Sequence, residues 1–146
     1  MRSGTENVAG NVGLAEAFSL AQQMREKEAK RTTGLRDNFA TKLQKIIDNT
    51  LINSPKKQSA PHILSISFPG TDNERLMMEL DERGIQCAVG SACSASLEEP
   101  SHVLTAIGLP PDLIRSTLRF SLGRQTNEED LRYAGEVLAE LVAQHR

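Results

Sequence analysis

Tryptophan is absent, and one tyrosine with four phenylalanines is all the aromatic content of 146 residues. A surface that stacks bases or tracks a nucleic-acid backbone needs rings and a basic excess. Here 17 basic residues are interspersed among 19 acidic ones, for a net charge of -2. No nucleic-acid partner is expected. A run of about eighteen apolar residues is also missing, and no charged start leads into an apolar stretch, so the sequence indicates neither a membrane span nor a signal peptide. Cysteine is scarce too: Cys87 and Cys93 match neither a zinc nor a thioredoxin-type spacing and give no disulfide framework, so no metal site is read from them. A reducing, cytoplasmic setting is the expectation. The chain is long enough to bury about two thirds of its unfolded surface without such staples.

What is present centres on Ala88-Val89-Gly90-Ser91-Ala92-Cys93-Ser94-Ala95-Ser96, a thiol among small residues. Glycine, serine and alanine leave the backbone many conformations and offer nothing large enough to bury the sulfur, so an exposed loop is predicted. Two readings stand for Cys93: a mobile nucleophile acting as its thiolate, or a cysteine filling a small gap.

From Glu6 to Met24 the apolar residues Val8, Val12, Ala15, Phe18 and Ala21 recur at helical spacing. After a charged run, Arg25 to Arg31, a second helix is predicted from Leu35, Phe39, Leu43, Ile46 and Ile47, ending near Asn49, with Gly34 as a kink. The two read as a connector between domains, residues 1–50. The start, Met1 to Thr5, is expected to be joined to something upstream. Prolines and small polar residues from Asn53 to Pro61 then break the helical period.

Residues 51–146 read as a small α/β domain. His62 to Phe68 alternates, with Leu64, Ile66 and Phe68 on one face and Ile63, Ser65 and Ser67 on the other. Thr71 and Glu74 form a capping-box signature for a helix carrying Leu76, Met77 and Leu80, stopped by Gly84. Ile85 to Val89 is predicted as a short strand containing Cys87. Val103, Leu104 and Ile107 mark a short helix, halted by Gly108 and Pro110-Pro111. Thr117 to Leu122 alternates again and turns Arg119 away from its apolar face. Thr126 and Glu129 are the predicted cap of a last helix with Leu131, Ala134, Leu138 and Leu141 inward. The sum is an α/β (α+β) fold: three to four strands covered by helices on one side, preceded by long connecting helices. The uncovered face looks onto a cleft or another domain. There Arg119 either docks a small acid through its guanidinium fork or pairs with a surface glutamate.

Gly90 to Leu104, with its Ser91-Ala92-Cys93-Ser94 core and Leu97-Glu98-Glu99-Pro100, followed by Ser116-Thr117-Leu118-Arg119-Phe120-Ser121-Leu122-Gly123-Arg124, closely resembles the C-terminal region of cysteine desulfurases. The opening Arg2-Ser3-Gly4-Thr5 resembles the same family, and the serine-rich loop looks like its long-loop branch, associated with iron-sulfur cluster assembly. The resemblance implies the small C-terminal domain of a fold-type I pyridoxal phosphate enzyme, a homodimer that converts L-cysteine to L-alanine and passes sulfur to an acceptor such as an iron-sulfur scaffold. By position it implies that Cys93 is the persulfide-forming nucleophile, that Arg119 holds the substrate carboxylate, and that Thr5 bonds the cofactor phosphate across the dimer interface. Cys87 and His102 are read as structural or surface residues.

The family's Schiff-base lysine, ring-stacking histidine and pyridine-nitrogen aspartate belong to its larger domain, which would precede Met1. None of Lys42, Lys45, Lys56 and Lys57 has the surroundings of a replacement. Alone, the chain is expected neither to hold the cofactor tightly nor to turn over cysteine, and the exposed face from Val8 to Ala21 is expected to drive self-association. Two rival readings remain: a non-enzymatic persulfide carrier using Cys93, and a dimerisation or interaction module with both cysteines passive.

Overall fold

A computed structural model describes residues 3–55, 58–90 and 100–146. The chain enters through α1 (Val8–Ile46), whose N-cap Asn7 accepts a hydrogen bond from the Gly10 amide at 3.0 Å. The two predicted helices are this one continuous helix of 39 residues, about 58 Å long at 1.5 Å per residue. Neither correction is costly to explain. The charged run at Arg25 to Arg31 has good helix formers throughout, and Gly34 has helical neighbours on both sides and open space where a Cβ would stand. Only the second half of α1, from Thr32 onward, is packed.

Past Ile46 the chain reverses at Asn49, whose φ of 53° is left-handed. It then forms β1 (Leu51–Ile52), a strand too short for its sequence to announce. A loop leads to β2 (Ile63–Ser67), then α2 (Asn73–Glu82), the short helices α3 (His102–Ala106) and α4 (Pro111–Ile114), β3 (Thr117–Ser121) and α5 (Glu128–His145). The sheet is antiparallel throughout in the order β1-β2-β3. Leu64 faces Phe120 and Ile66 faces Leu118 across β2 and β3, so the two predicted apolar faces make one. Onto it pack α2, α5 and the second half of α1, with Leu43, Ile66, Leu76, Leu80, Leu118 and Leu138 fully buried. Phe39 of α1 meets Phe120 edge-on, with centroids 5.5 Å apart and planes at 89°.

Helix ends differ from the sequence reading by one residue, for the same reason twice. Asp72, rather than Thr71, caps α2 by accepting from the Arg75 amide at 2.9 Å. Thr71 instead donates its hydroxyl to the Phe68 carbonyl at 2.7 Å and closes the turn. At α5 the capping box is Asn127 with Asp130, while Thr126 accepts from the Gly123 amide at 2.9 Å. Gly84 does end α2: its φ of 77° lets its own amide reach the Asp81 carbonyl and the Ile85 amide reach Leu80. Gly108, with φ of 84°, likewise ends α3, but Pro111 opens α4 instead of simply halting a helix.

The strand predicted over Ile85 to Val89 is reduced to one bridge. Ala88 exchanges both backbone hydrogen bonds with Arg119, at 3.0 and 2.8 Å. Continuing the ladder would require residue 90 to donate to the Thr117 carbonyl. That oxygen is taken by the Asn73 side-chain amide at 3.0 Å, and Gly90 turns away with φ of 59°.

Candidate functional site

The polar face of the sheet carries Arg119, the candidate binding residue on β3. Ile63, Ser65 and Ser67 on β2 stand opposite Ser121, Arg119 and Thr117 on β3. Two short elements support one end of this face. The Asn53 amide donates to Ser67 Oγ at 2.8 Å and to Ser65 Oγ at 3.4 Å, Ser67 and Thr117 hydroxyls lie 2.7 Å apart, and Thr117 Oγ1 donates to the Leu113 carbonyl at 2.6 Å. Ser67 and Thr117 are buried, so this chain of donors satisfies groups that would otherwise be costly to desolvate.

Arg119 rises from the middle of that face. It is the exposed member of a strand otherwise buried from Thr117 to Phe120, as its place in the alternation predicts. Its flanks are small: Ser65 across one side and Ala88 across the other. The strand's far end is fixed from α1, where the Arg31 guanidinium donates to the carbonyls of Thr126, Gly123 and Arg124 at 2.8, 2.9 and 3.1 Å and pairs with Glu28. Arg124 thus contributes its backbone to the strand end.

Cys93 lies outside the described residues; the chain leaves the Ala88–Arg119 bridge five residues before it. Cys87 is half-buried against the core, beside a cleft lined by Met77, Met78, Asp81 and Gln86. Burial, helped by the Asp81 carboxylate, pushes its thiol up to about 11. That thiol is almost wholly protonated near neutral pH and a poor nucleophile. His102 is the exposed first residue of α3, next to the N-cap Ser101. Thr5 is exposed ahead of Asn7, beyond about 36 Å of unpacked helix from the first buried turn, and is not brought to Arg119 within one chain. Ser65 and Asn53 escaped the sequence reading: alternation placed Ser65 on the polar face, but only the strand register places it beside Arg119.

A pyridoxal phosphate site needs a lysine amine inside a cleft and an acid for the ring nitrogen. Lys27, Lys30, Lys42 and Lys45 all occupy exposed positions of α1, and the cleft beside Cys87 contains no lysine. The described residues do not fit that group. Among them there is also no cluster of three His, Cys, Asp or Glu able to hold a metal ion, and no helix long and apolar enough to cross a membrane.

Comparison with known proteins identifies the class to which this helix-backed antiparallel sheet belongs. Residues 1–133 match the aminotransferase class-V family, and the chain belongs to it. It is similar to the cysteine desulfurase IscS of Dictyoglomus turgidum, 41% identical over 145 residues that make up 99% of this chain and 37% of that protein. The IscS of Photorhabdus laumondii is 40% identical over 146 residues, 100% of this chain and 35% of the relative. The chain therefore spans a little over a third of the length of these curated relatives. Among solved structures, a NifS-like protein superimposes with a TM-score of 0.82 at 29% identity, over 98% of this chain and 36% of the other. The NifS-like protein from Rickettsia africae gives 0.79 at 27% identity, over 98% and 36%.

Proposed function

We propose that this chain is the sulfur-accepting part of a cysteine desulfurase: Arg119 anchors the carboxylate of L-cysteine, and Cys93 takes its sulfur as a persulfide for delivery to an acceptor such as an iron-sulfur scaffold. The observation that carries the reading is the Ala88–Arg119 bridge. It ties the exposed arginine to the segment leading to the thiol, and five residues span at most about 17 Å. In the overall reaction the Cys93 sulfur bonds to the substrate sulfur and the substrate Cβ–Sγ bond breaks. Its electron pair stays on carbon, which takes a proton to give alanine. Cys93 ends as the persulfide, and atoms and charge balance.

Pyridoxal phosphate supplies the electron sink for such a cleavage. Since the described residues do not build its site, the reading requires a portion bearing the cofactor lysine; joined to that portion, the working form is a cytoplasmic homodimer in which Thr5 of one protomer reaches the cofactor phosphate held by the other.

The test mixes the chain with the pyridoxal phosphate-binding portion of a close relative and L-cysteine, then measures alanine and the mass of each cysteine. The expected result is alanine release with one added sulfur on Cys93 and none on Cys87, both abolished by Cys93→Ser. Alanine at background with Cys93 sulfurated only by a persulfide donor would instead identify a sulfur carrier. Thiol labelling of Cys93 no faster than an ordinary exposed thiol of pKa about 8.5, with no sulfur transfer, would identify an interaction module. For the chain alone, no imine should be trapped by borohydride after adding pyridoxal phosphate; a trapped imine with turnover would overturn the need for a partner lysine.

A further inference from the structure

We infer that Ser65 is a second hydrogen-bond donor to the carboxylate docked on Arg119, and that it helps select short carboxylates such as an amino acid's. The inference rests on the reading of Arg119 given above and deepens it.

Backbone hydrogen bonds establish how close the two side chains are. Ser65 donates its amide to Ser54 Oγ at 2.9 Å, and its carbonyl accepts from the Asn53 amide at 2.9 Å, both toward β1. Arg119 spends its amide and carbonyl on Ala88, on the opposite edge. The directly opposed residues therefore form a non-hydrogen-bonded pair, the geometry in which Cα atoms approach to about 4.5 Å and side chains are nearest. The serine hydroxyl stands beside the stem of the arginine on the same face.

The direction of the polar network decides what that hydroxyl can do. Thr117 gives its proton to the Leu113 carbonyl, Ser67 then donates to Thr117, and the Asn53 amide donates to Ser67. These two hydroxyls are committed as well as buried. The same amide nitrogen also lies 3.4 Å from Ser65 Oγ, which accepts there. A hydroxyl has one proton to give, and among the described residues none takes that of Ser65. It is half-buried, and Arg119 directly opposite it is exposed. A carboxylate held by the arginine fork keeps acceptor sites free at each oxygen, and Ser65, directly opposite Arg119 in the strand register, is placed to fill one. Ala88, paired with Arg119, and Ser121, two residues on along β3, are both small.

The experiment titrates the full isotope-labelled chain with L-alanine, using alaninamide as the control lacking a carboxylate, and follows the Nε–Hε resonance of Arg119. The expected result is a saturable shift with L-alanine only. Ser65→Ala should weaken it about tenfold with an unchanged backbone spectrum, and Ser65→Thr, which keeps the hydroxyl, should restore most of the affinity. Equal affinities for the wild-type chain and Ser65→Ala would overturn the role of Ser65 and leave Arg119 as the anchor. Absence of any saturable Arg119 shift in the wild-type chain would overturn both.

Discussion

The two halves of α1 carry apolar residues at the same helical spacing and meet opposite fates. Val8 and Phe18 are 65% and 70% exposed, whereas Phe39 and Leu43 are 2% and 0% exposed. Neither backbone geometry nor capping separates them, because they are turns of one helix. The difference is what stands opposite: α5 and β2 pack on the second half, and among the described residues nothing packs on the first. Periodicity announces a face, but the residues that fill it are not written into the same segment. A helix held by packing at one end only must rely on its own propensity at the other.

The comparison breaks most visibly under truncation of matched residues. Phe39→Ala removes an edge-to-face partner of Phe120 and leaves a cavity in the core, at a cost of roughly 3–5 kcal/mol. Phe18→Ala removes a ring already in solvent and should change stability by less than about 0.5 kcal/mol. Urea denaturation followed by far-ultraviolet circular dichroism reads both, and equal losses would mean that the first half is covered in solution, as self-association would do.

A smaller effect comes from the charge on the packed half. Arg36 is buried, and its guanidinium donates to the Ala60 carbonyl and Ser59 hydroxyl at 2.9 Å each while pairing with Asp37 at 2.8 Å. These bonds hold the chain leading into β2 against α1. Arg36→Ala leaves that carbonyl only its longer bond, from the Ile63 amide at 3.3 Å, and should cost about 1–3 kcal/mol. Lys30→Ala, at an exposed position nearer the unpacked end, should be neutral in the same denaturation series. A neutral Arg36→Ala would show that water replaces the guanidinium without loss.

How much was legible follows from the same distinction between a pattern and its partner. Alternation in β2 and β3 was readable because each strand buries one face, and it carried Arg119 to the correct side. Gly84 was readable because a left-handed helix stop strongly favours glycine. The caps were read one residue early, since Thr71 and Thr126 have the chemistry of a cap but spend their hydroxyls on the preceding turn. Nothing in Leu51-Ile52 announces a strand; it exists through its pairing with Ser67 and Ile66. The adjacency of Ser65 and Arg119 was invisible for the same reason, because register belongs to two strands at once. The resemblance named Cys93, Arg119 and Thr5; the fold adds the setting of Arg119.

Between the two halves, Gly34 offers a finer probe. A glycine inside a helix costs about 1 kcal/mol relative to alanine, and a methyl here meets nothing within 4 Å. If α1 runs unbroken through this point in solution, Gly34→Ala should raise the unfolding free energy by about that amount. A kink there would cancel the gain or reverse it, so the sign of the change distinguishes the single helix from the two that the sequence suggested.

The smallest effect contrasts the loose start of α1 with the anchored end of α5. His145, the last residue of α5, meets the Glu79 carboxylate of α2 at 2.8 Å, and Arg75 pairs with the other oxygen at 3.0 Å. The hydrogen bond with His145, then that from Arg75, holds the Glu79 carboxyl below its ordinary value of 4.5. A carboxyl with a depressed pKa binds its proton less readily in the folded chain than in the unfolded one. Its stabilising contribution is therefore complete above the unfolded value and lost as pH falls through the folded one. Glu79→Gln should lower the urea midpoint slightly above about pH 5.5, and the gap from the wild-type chain should narrow steadily on acidification toward about pH 3. A gap that stays constant across that range would mean the carboxylate charge contributes nothing, and that α5 is held at its end by apolar packing alone.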